Sequence, residues 1–195
     1  ISEEMVDAFK YKWCPSCGYG LEKYNEMRTN VVEFMKEKHK GQYRKTDKNK
    51  KKVPYIVHPI AVSKILELKG LDSFEYFAAA LLHDTVEDTD ATLEDILDVA
   101  GEEVSDIVRL VTKSKGYSQK QYMKNILINE KARLVKCADR IANLAEITML
   151  TDKEYDDFKK GYLKNTEEHY ADLFKGTIFE GDYIIYLEEL KSQVL

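Results

Sequence analysis

The sequence predicts an all-α single domain, a helical bundle or orthogonal array, and three observations carry that prediction. Apolar residues recur at three- and four-residue intervals in one segment after another, the spacing of a single buried helix face. No series of alternating strands and no repeat of fixed period breaks that pattern. The chain has 195 residues, 44% hydrophobic and 33% charged, with nine glycines and three prolines. A domain of that length can bury about 70% of its unfolded surface without a disulfide framework. Collagen-like, mucin-like and disordered classes are thereby excluded. The longest fully apolar run, Phe77 to Leu82, falls far short of the roughly 20 residues that cross a bilayer, so no transmembrane helix and no membrane partner is expected.

Taken in order, Leu21 to Lys40 sets Tyr24, Met27, Val31, Phe34 and Met35 on one face, predicting a long amphipathic helix. No apolar residue occurs from Arg44 to Lys52, which predicts a solvated loop ending at Val53-Pro54. His58-Pro59 opens a second helix, because proline is tolerated in a first turn, and Ile60, Val62, Ile65, Leu66 and Leu68 continue it to a stop at Gly70. Ser73 to about Glu87 is apolar almost all round, predicting a central buried helix. Thr92 to Asp95 has the pattern of a capping box for a short helix through Val99, and Val104 to Val111 forms another. After a polar connection over Lys113 to Gln121, the segment Lys131 to Leu150 keeps Leu134, Val135, Ala138, Ile141, Ala142, Leu144 and Ile147 in helical register as a second core helix. Two more polar helical regions are expected, around Asp152 to Phe174 and Tyr183 to Val194, with residues 1–20 as an appendage to a domain over 21–195.

Thirty basic against 35 acidic side chains give a net charge of −5, which argues against a protein that coats nucleic acid. Locally the balance reverses: six of the nine residues from Arg44 to Lys52 are basic. The first residues lack the basic and apolar regions of a secretory signal. Three cysteines are an odd number, two of them in Cys14-Pro-Ser-Cys17, which favours a reducing compartment and a cytoplasmic location. That element reads as one zinc knuckle, a redox pair or two unpaired thiols, since a tetrahedral thiolate site needs four ligands and no second such pair occurs. Cys137 reads as a core thiol.

The densest group of reactive side chains is His83-Asp84-Thr85-Val86-Glu87-Asp88, at the end of the most apolar segment. Ionisable groups at the edge of a core are costly unless they bind a cation or one another. His58 begins one predicted helix and Asp139 lies inside another, among Ala138, Ile141 and Ala142. Each has a bland reading: His58 as a helix cap, Asp139 as partner of Lys136 or Arg140, Glu87 and Asp88 as solvated acids. Together on the most apolar helices they point to a metal site, and two imidazoles with two carboxylates suit manganese, iron or zinc.

The ordered set His39-x-x-Gln42-x-Arg44-Lys45, Pro54-Tyr-Ile-x-His58-Pro59, His83-Asp84-x-x-Glu87-Asp88, Val111-Thr-Lys113 and Lys136-x-Ala-Asp139-Arg140-x-x-Asn143 closely resembles the hydrolase domain of the RelA/SpoT family, within the HD phosphohydrolase superfamily. The match runs from about Val32 to Ile147, and no synthetase domain fits in what remains, so the likeness is to short stand-alone alarmone hydrolases. The resemblance implies an HD-domain helical fold and one divalent ion, usually Mn2+, held by His58, His83, Asp84 and Asp139. It implies removal of the 3′-pyrophosphate of guanosine tetra- and pentaphosphate (ppGpp and pppGpp). Glu87 and Asp88 would be the catalytic acidic pair that positions or deprotonates water and protonates the leaving group. Arg44 would stack on guanine, Lys45 would stand at the substrate mouth, and Asn143 and Lys115 would contact the nucleotide. Tyr170 is read as a core tyrosine rather than a nucleotide contact.

The Arg44 to Pro54 loop carries more lysines and is longer than the compact linker of bifunctional bacterial members, so phosphate recognition or substrate choice can differ, or Lys48 to Lys52 can simply be solvated. Two other readings stay open. One is an HD hydrolase for another nucleotide, such as NADPH or a nucleoside monophosphate. The other is a non-catalytic module that senses a nucleotide or nucleic acid.

Overall fold

Helix after helix, with connections of a few residues, forms the computed structural model, which describes residues 21–46 and 51–194. The Cys14–Cys17 element, the rest of the expected appendage, and Lys48 and Lys50 lie outside the described residues. The helices are α1 (Leu21–Lys38), α2 (Val57–Leu68), α3 (Phe74–Leu82), α4 (Thr85–Asp88), α5 (Leu93–Ala100), α6 (Glu102–Val111), α7 (Gln119–Ile126), α8 (Glu130–Thr148), α9 (Asp156–His169), α10 (Ala171–Phe174) and α11 (Glu180–Val194), with a 3-10 turn at Lys153–Tyr155. Among the described residues strand pairing is limited to one isolated antiparallel bridge, Tyr43 with Pro54. The all-α expectation holds, and no described helix is long and apolar enough to cross a membrane.

The core is built around α3 and α8. Every side chain from Phe77 to Leu82 is buried, because α3 is covered by α1, α2, α6 and α8. Each fully buried leucine there contributes about 1.5–3 kcal/mol relative to exposure. Helix α8 lies across α2 on one side and α11 on another, burying Leu134, Val135, Cys137, Ala138 and Leu144. Asn129 caps its start by accepting the Ala132 N–H at 2.9 Å. The capping box predicted at Thr92 is present in both halves, Thr92 Oγ1 accepting from the Asp95 N–H and Asp95 from the Thr92 N–H.

Three elements differ from expectation. The helix expected over Ser73 to Glu87 is interrupted at His83-Asp84. There His83 Nδ1 donates to the Ala80 carbonyl at 2.8 Å and Thr85 Oγ1 to the Leu82 carbonyl at 2.7 Å, so side chains take carbonyls at the helix end. The polar stretch after Lys113 contains α7, capped by Ser118, with only Tyr122, Met123 and Ile126 buried, too few apolar positions for periodicity to stand out. The basic loop is anchored at its base rather than free. Arg44 N–H donates to the Val53 carbonyl at 2.8 Å, and the Tyr155 hydroxyl donates to the Thr46 carbonyl at 2.9 Å. Lys51 and Lys52 are exposed as expected, while Arg44 is half-buried.

Candidate metal and nucleotide site

Four elements bring their polar residues to one point: the first turn of α2 (His58), the end of α3 (His83), the link to α4 (Asp84) and the middle of α8 (Asp139). One ligand atom from each of His58, His83 and Asp84 lies within 4.8 Å of the others. Asp139 joins this group through both imidazoles, its Oδ1 lying 3.0 Å from His58 Nε2 and 3.5 Å from His83 Nε2. His58 Nε2 is also 3.6 Å from Asp84 Oδ2. Both histidines and Asp139 are buried in the core wall.

The local bonds orient these groups toward a shared centre. A carbonyl can only accept, so the Ala80 contact places the proton of neutral His83 on Nδ1 and leaves its Nε2 lone pair facing the carboxylates. That Nε2 is buried, lies 2.9 Å from Asp84 Oδ2 and yet makes no hydrogen bond of proper geometry. Asp139 is flanked by Lys136, whose Nζ is 2.7 Å from its Oδ2, and by Asn143, whose Nδ2 donates to its Oδ1 at 2.6 Å. Burial disfavours charge on Asp139, but Lys136 and the two imidazoles hold its carboxyl well below the usual range. Burial also opposes charge on His83, yet Asp84 and Asp139 raise it to about 10. The two carboxylates that raise His83 would attract a divalent cation in place of its proton. An orphaned buried nitrogen among oxygen donors fits a metal ion of the manganese, iron or zinc type.

Glu87 and Asp88 stand outside this centre and are exposed. Glu87 accepts the Lys113 N–H at 3.2 Å. The Tyr55 hydroxyl donates to Asp84 Oδ2 and lies 3.3 Å from Asp88 Oδ2, linking the buried cluster to the exposed acid. Burial and the neighbouring Asp84 push the Tyr55 hydroxyl well above its ordinary value, so it remains a donor. Its ring stacks on His39 at 4.7 Å, and His39 Nδ1 lies 2.8 Å from Gln42 Oε1. Burial lowers His39 below an ordinary imidazole. Tyr55, His39 and Gln42 stand in the motifs quoted above, but nothing in their spacing assigns them a part in the site. Tyr55 lies 33 residues from Asp88 along the chain, which hides their contact.

Beside the cluster lie two cavities. One of about 260 Å³ has aromatic walls, Tyr43, Tyr55, Phe158 and Tyr162, and is closed by Arg44, Asn143 and Glu146. The other, about 400 Å³, is more apolar and reaches His58, Val57 and Ala61. Arg44 and Lys45 border both. Arg44 Nε donates to both Glu146 oxygens at 2.9 Å, and its Nη2 donates to Glu146 Oε2 at 2.6 Å and to Asn143 Oδ1 at 2.8 Å. Lys45 Nζ sits 3.5 Å over the Phe158 ring. Glu146, unremarked in the sequence, is thus central to the cavities. Lys115 is exposed on the α6–α7 connection, and among the described residues no hydrogen bond or ion pair attaches it to the site. Tyr170 is buried beneath the Arg140 guanidinium, 3.5 Å from its ring centroid, in agreement with its core reading. Cys137 is a buried free thiol.

With this geometry in hand, comparisons with known proteins give a consistent picture. A family model described as HD domain matches residues 32–173, which include every described residue discussed above from His39 to Tyr170. The chain is 39% identical over 151 residues to a protein of Aquifex aeolicus named guanosine-3′,5′-bis(diphosphate) 3′-pyrophosphohydrolase, a match over 73% of this chain and 20% of that protein. It is 39% identical over 127 residues to the MESH1 protein of Danio rerio, which carries the same name, covering 62% of this chain and 69% of the relative. The human MESH1 protein is 34% identical over 136 residues, 66% of this chain and 74% of its own length. Thus the chain spans about a fifth of the Aquifex protein and more than two thirds of the MESH1 proteins. A solved structure described as a metazoan ortholog of SpoT that hydrolyses ppGpp superimposes with a TM-score of 0.66 at 28% identity, over 86% of this chain and 94% of that one. HD-domain hydrolases are metal-dependent, in keeping with the donor cluster at His58, His83 and Asp84. The chain belongs to the HD domain family and, within it, to the group that contains the MESH1 and SpoT-type proteins.

Proposed function

We propose that this protein is a metal-dependent hydrolase that removes the 3′-pyrophosphate of guanosine tetra- and pentaphosphate, yielding GDP or GTP and pyrophosphate, with manganese as its ion. The observation that carries the reading is the convergence of His58, His83, Asp84 and Asp139 beside an aromatic-walled cavity bordered by Arg44 and Lys45. The names of the MESH1 and Aquifex relatives support the choice of substrate. The catalytic domain is taken to be residues 21–195, with 1–20 an appendage, in a reducing cytoplasm.

In this reading His58, His83, Asp84 and Asp139 hold the metal. An ion held there would supply Lewis acidity to phosphoryl oxygens and lower the pKa of a bound water. Lys136 keeps Asp139 ionised and Tyr55 orients Asp84. Glu87 and Asp88, at the exposed edge, accept a proton from the attacking water and return one to the departing 3′-oxygen. Arg44 lies against the base, Asn143 holds Arg44 to the α8 wall, and Lys45 and Lys115 meet the phosphates.

The test is pyrophosphate release by the purified protein with Mn2+, offered guanosine tetra- and pentaphosphate, NADPH and nucleoside monophosphates. Release from the guanosine polyphosphates alone is expected, and Asp84→Ala is expected to lose both bound metal and turnover. Turnover confined to another nucleotide overturns the substrate, binding without turnover of any substrate overturns the enzyme, and an active Asp84→Ala variant overturns the site.

A further inference from the structure

We propose that Glu146 is a positioning residue that commits the Arg44 guanidinium to face-on contact with a nucleotide base, by occupying the edge with which arginine otherwise grips phosphate. This rests on the nucleotide-binding reading above. An arginine offers five N–H donors in one plane, and it recognises phosphate through that edge and aromatic rings through its face. In this protein the Nε donor and both Nη2 donors are engaged, three contacts going to Glu146 and one to Asn143. Among the described residues only Nη1 is left without a partner, while the guanidinium borders both cavities.

Charge points the same way. Arg44 and Glu146 together are neutral, so the pair adds little net attraction for a polyphosphate, and the carboxylate repels one. Burial opposes the charge on Arg44, and the hydrogen-bonded Glu146 more than restores it. Both side chains are mostly shielded, 15% and 29% exposed, so the pair is held more firmly than a surface ion pair. The Tyr55 ring lies 5.1 Å from the guanidinium carbon on the cavity wall, adding a second flat surface beside it. At the cavity rim phosphate attraction falls to Lys45, which has no carboxylate partner among the described residues and rests on Phe158. Cut loose from Glu146, Arg44 would turn its edge to phosphate and the base would lose its platform.

The experiment compares wild type, Glu146→Ala, Glu146→Gln, Arg44→Ala and the Arg44→Ala/Glu146→Ala double variant. Calorimetry gives Kd for GDP and for inorganic pyrophosphate, and steady-state kinetics give KM and kcat for guanosine tetraphosphate. Glu146→Ala is expected to weaken GDP binding and raise KM about tenfold, with kcat within about threefold and pyrophosphate affinity unchanged or tighter. Glu146→Gln, which keeps an acceptor oxygen, should lie between wild type and Glu146→Ala. It carries the comparison if the alanine variant does not fold. Because Glu146 acts through Arg44, the double variant should be no worse than Arg44→Ala. Unchanged GDP affinity in Glu146→Ala, equal weakening of GDP and pyrophosphate, or additive effects in the double variant each overturn the proposal. Failure of the wild type to hydrolyse guanosine tetraphosphate refutes the hydrolase reading alone, since the GDP series still decides the role of Glu146. A wild type that binds GDP no better than pyrophosphate overturns the positioning role.

Discussion

The Tyr55 side chain serves two surfaces at once: its hydroxyl meets Asp84 and Asp88, and its ring walls the smaller cavity. Removing only the oxygen leaves the ring in place and frees Asp84 to turn. Groups that orient metal-binding carboxylates typically cost about 10–100-fold in metal affinity or activity when lost, and Tyr55→Phe is expected to fall in that range with an unchanged melting temperature. Manganese titration and turnover of the variant check it, and wild-type values for both would remove Tyr55 from the site. Asp139 was the most legible residue, because a carboxylate among alanines and isoleucine has few explanations. Its pairing with Lys136, anticipated as a bland alternative, coexists with its contacts to His58 and His83. Glu146 was illegible for the opposite reason. An acidic residue near a helix end looks solvated until the loop bearing Arg44 folds over it.

Among the elements, the junction of α5 and α6 is the most sharply specified. Gly101 ends one helix and begins the next at φ +87° and ψ 173°, a conformation that side chains rarely adopt. A Cβ there would meet open space, so the cost of Gly101→Ala is backbone strain alone, about 1–3 kcal/mol. Urea unfolding of the variant measures it, and a change below a few tenths of a kcal/mol would show that the junction relaxes freely. The capping box is legible in the sequence because it depends on a few neighbouring residues. The break at His83-Asp84 is not, since apolar periodicity runs through it and only the side-chain bonds to the Ala80 and Leu82 carbonyls end the helix. Helix α7 is hidden in the sequence because three buried residues in a polar stretch carry little periodic signal.

For the whole molecule, the cluster ties α2, α3 and α8 together, so an ion bound there stabilises the packing of the core helices as well as the reaction centre. A ligand at one hundred times its Kd that binds only the folded state adds about 2.7 kcal/mol, or about 5–10 °C in Tm for a domain of this size. Manganese is therefore expected to raise the melting temperature, EDTA to reverse the rise, and Asp84→Ala to show little response. A melting curve indifferent to manganese in the wild type would speak against the cluster as a metal site.

The helical class, most helix positions, the two core helices and the acidic and histidine residues at their ends are legible without the fold. Those features follow from local periodicity, capping and the cost of burying charge. Which polar residues meet is set by packing: Tyr55 spans Asp84 and Asp88, and Arg44 is claimed by Glu146 and Asn143. The physical reason is distance along the chain. The Arg44–Glu146 and His58–Asp139 contacts join segments 102 and 81 residues apart, and no local rule reports which helix faces will be brought together by packing.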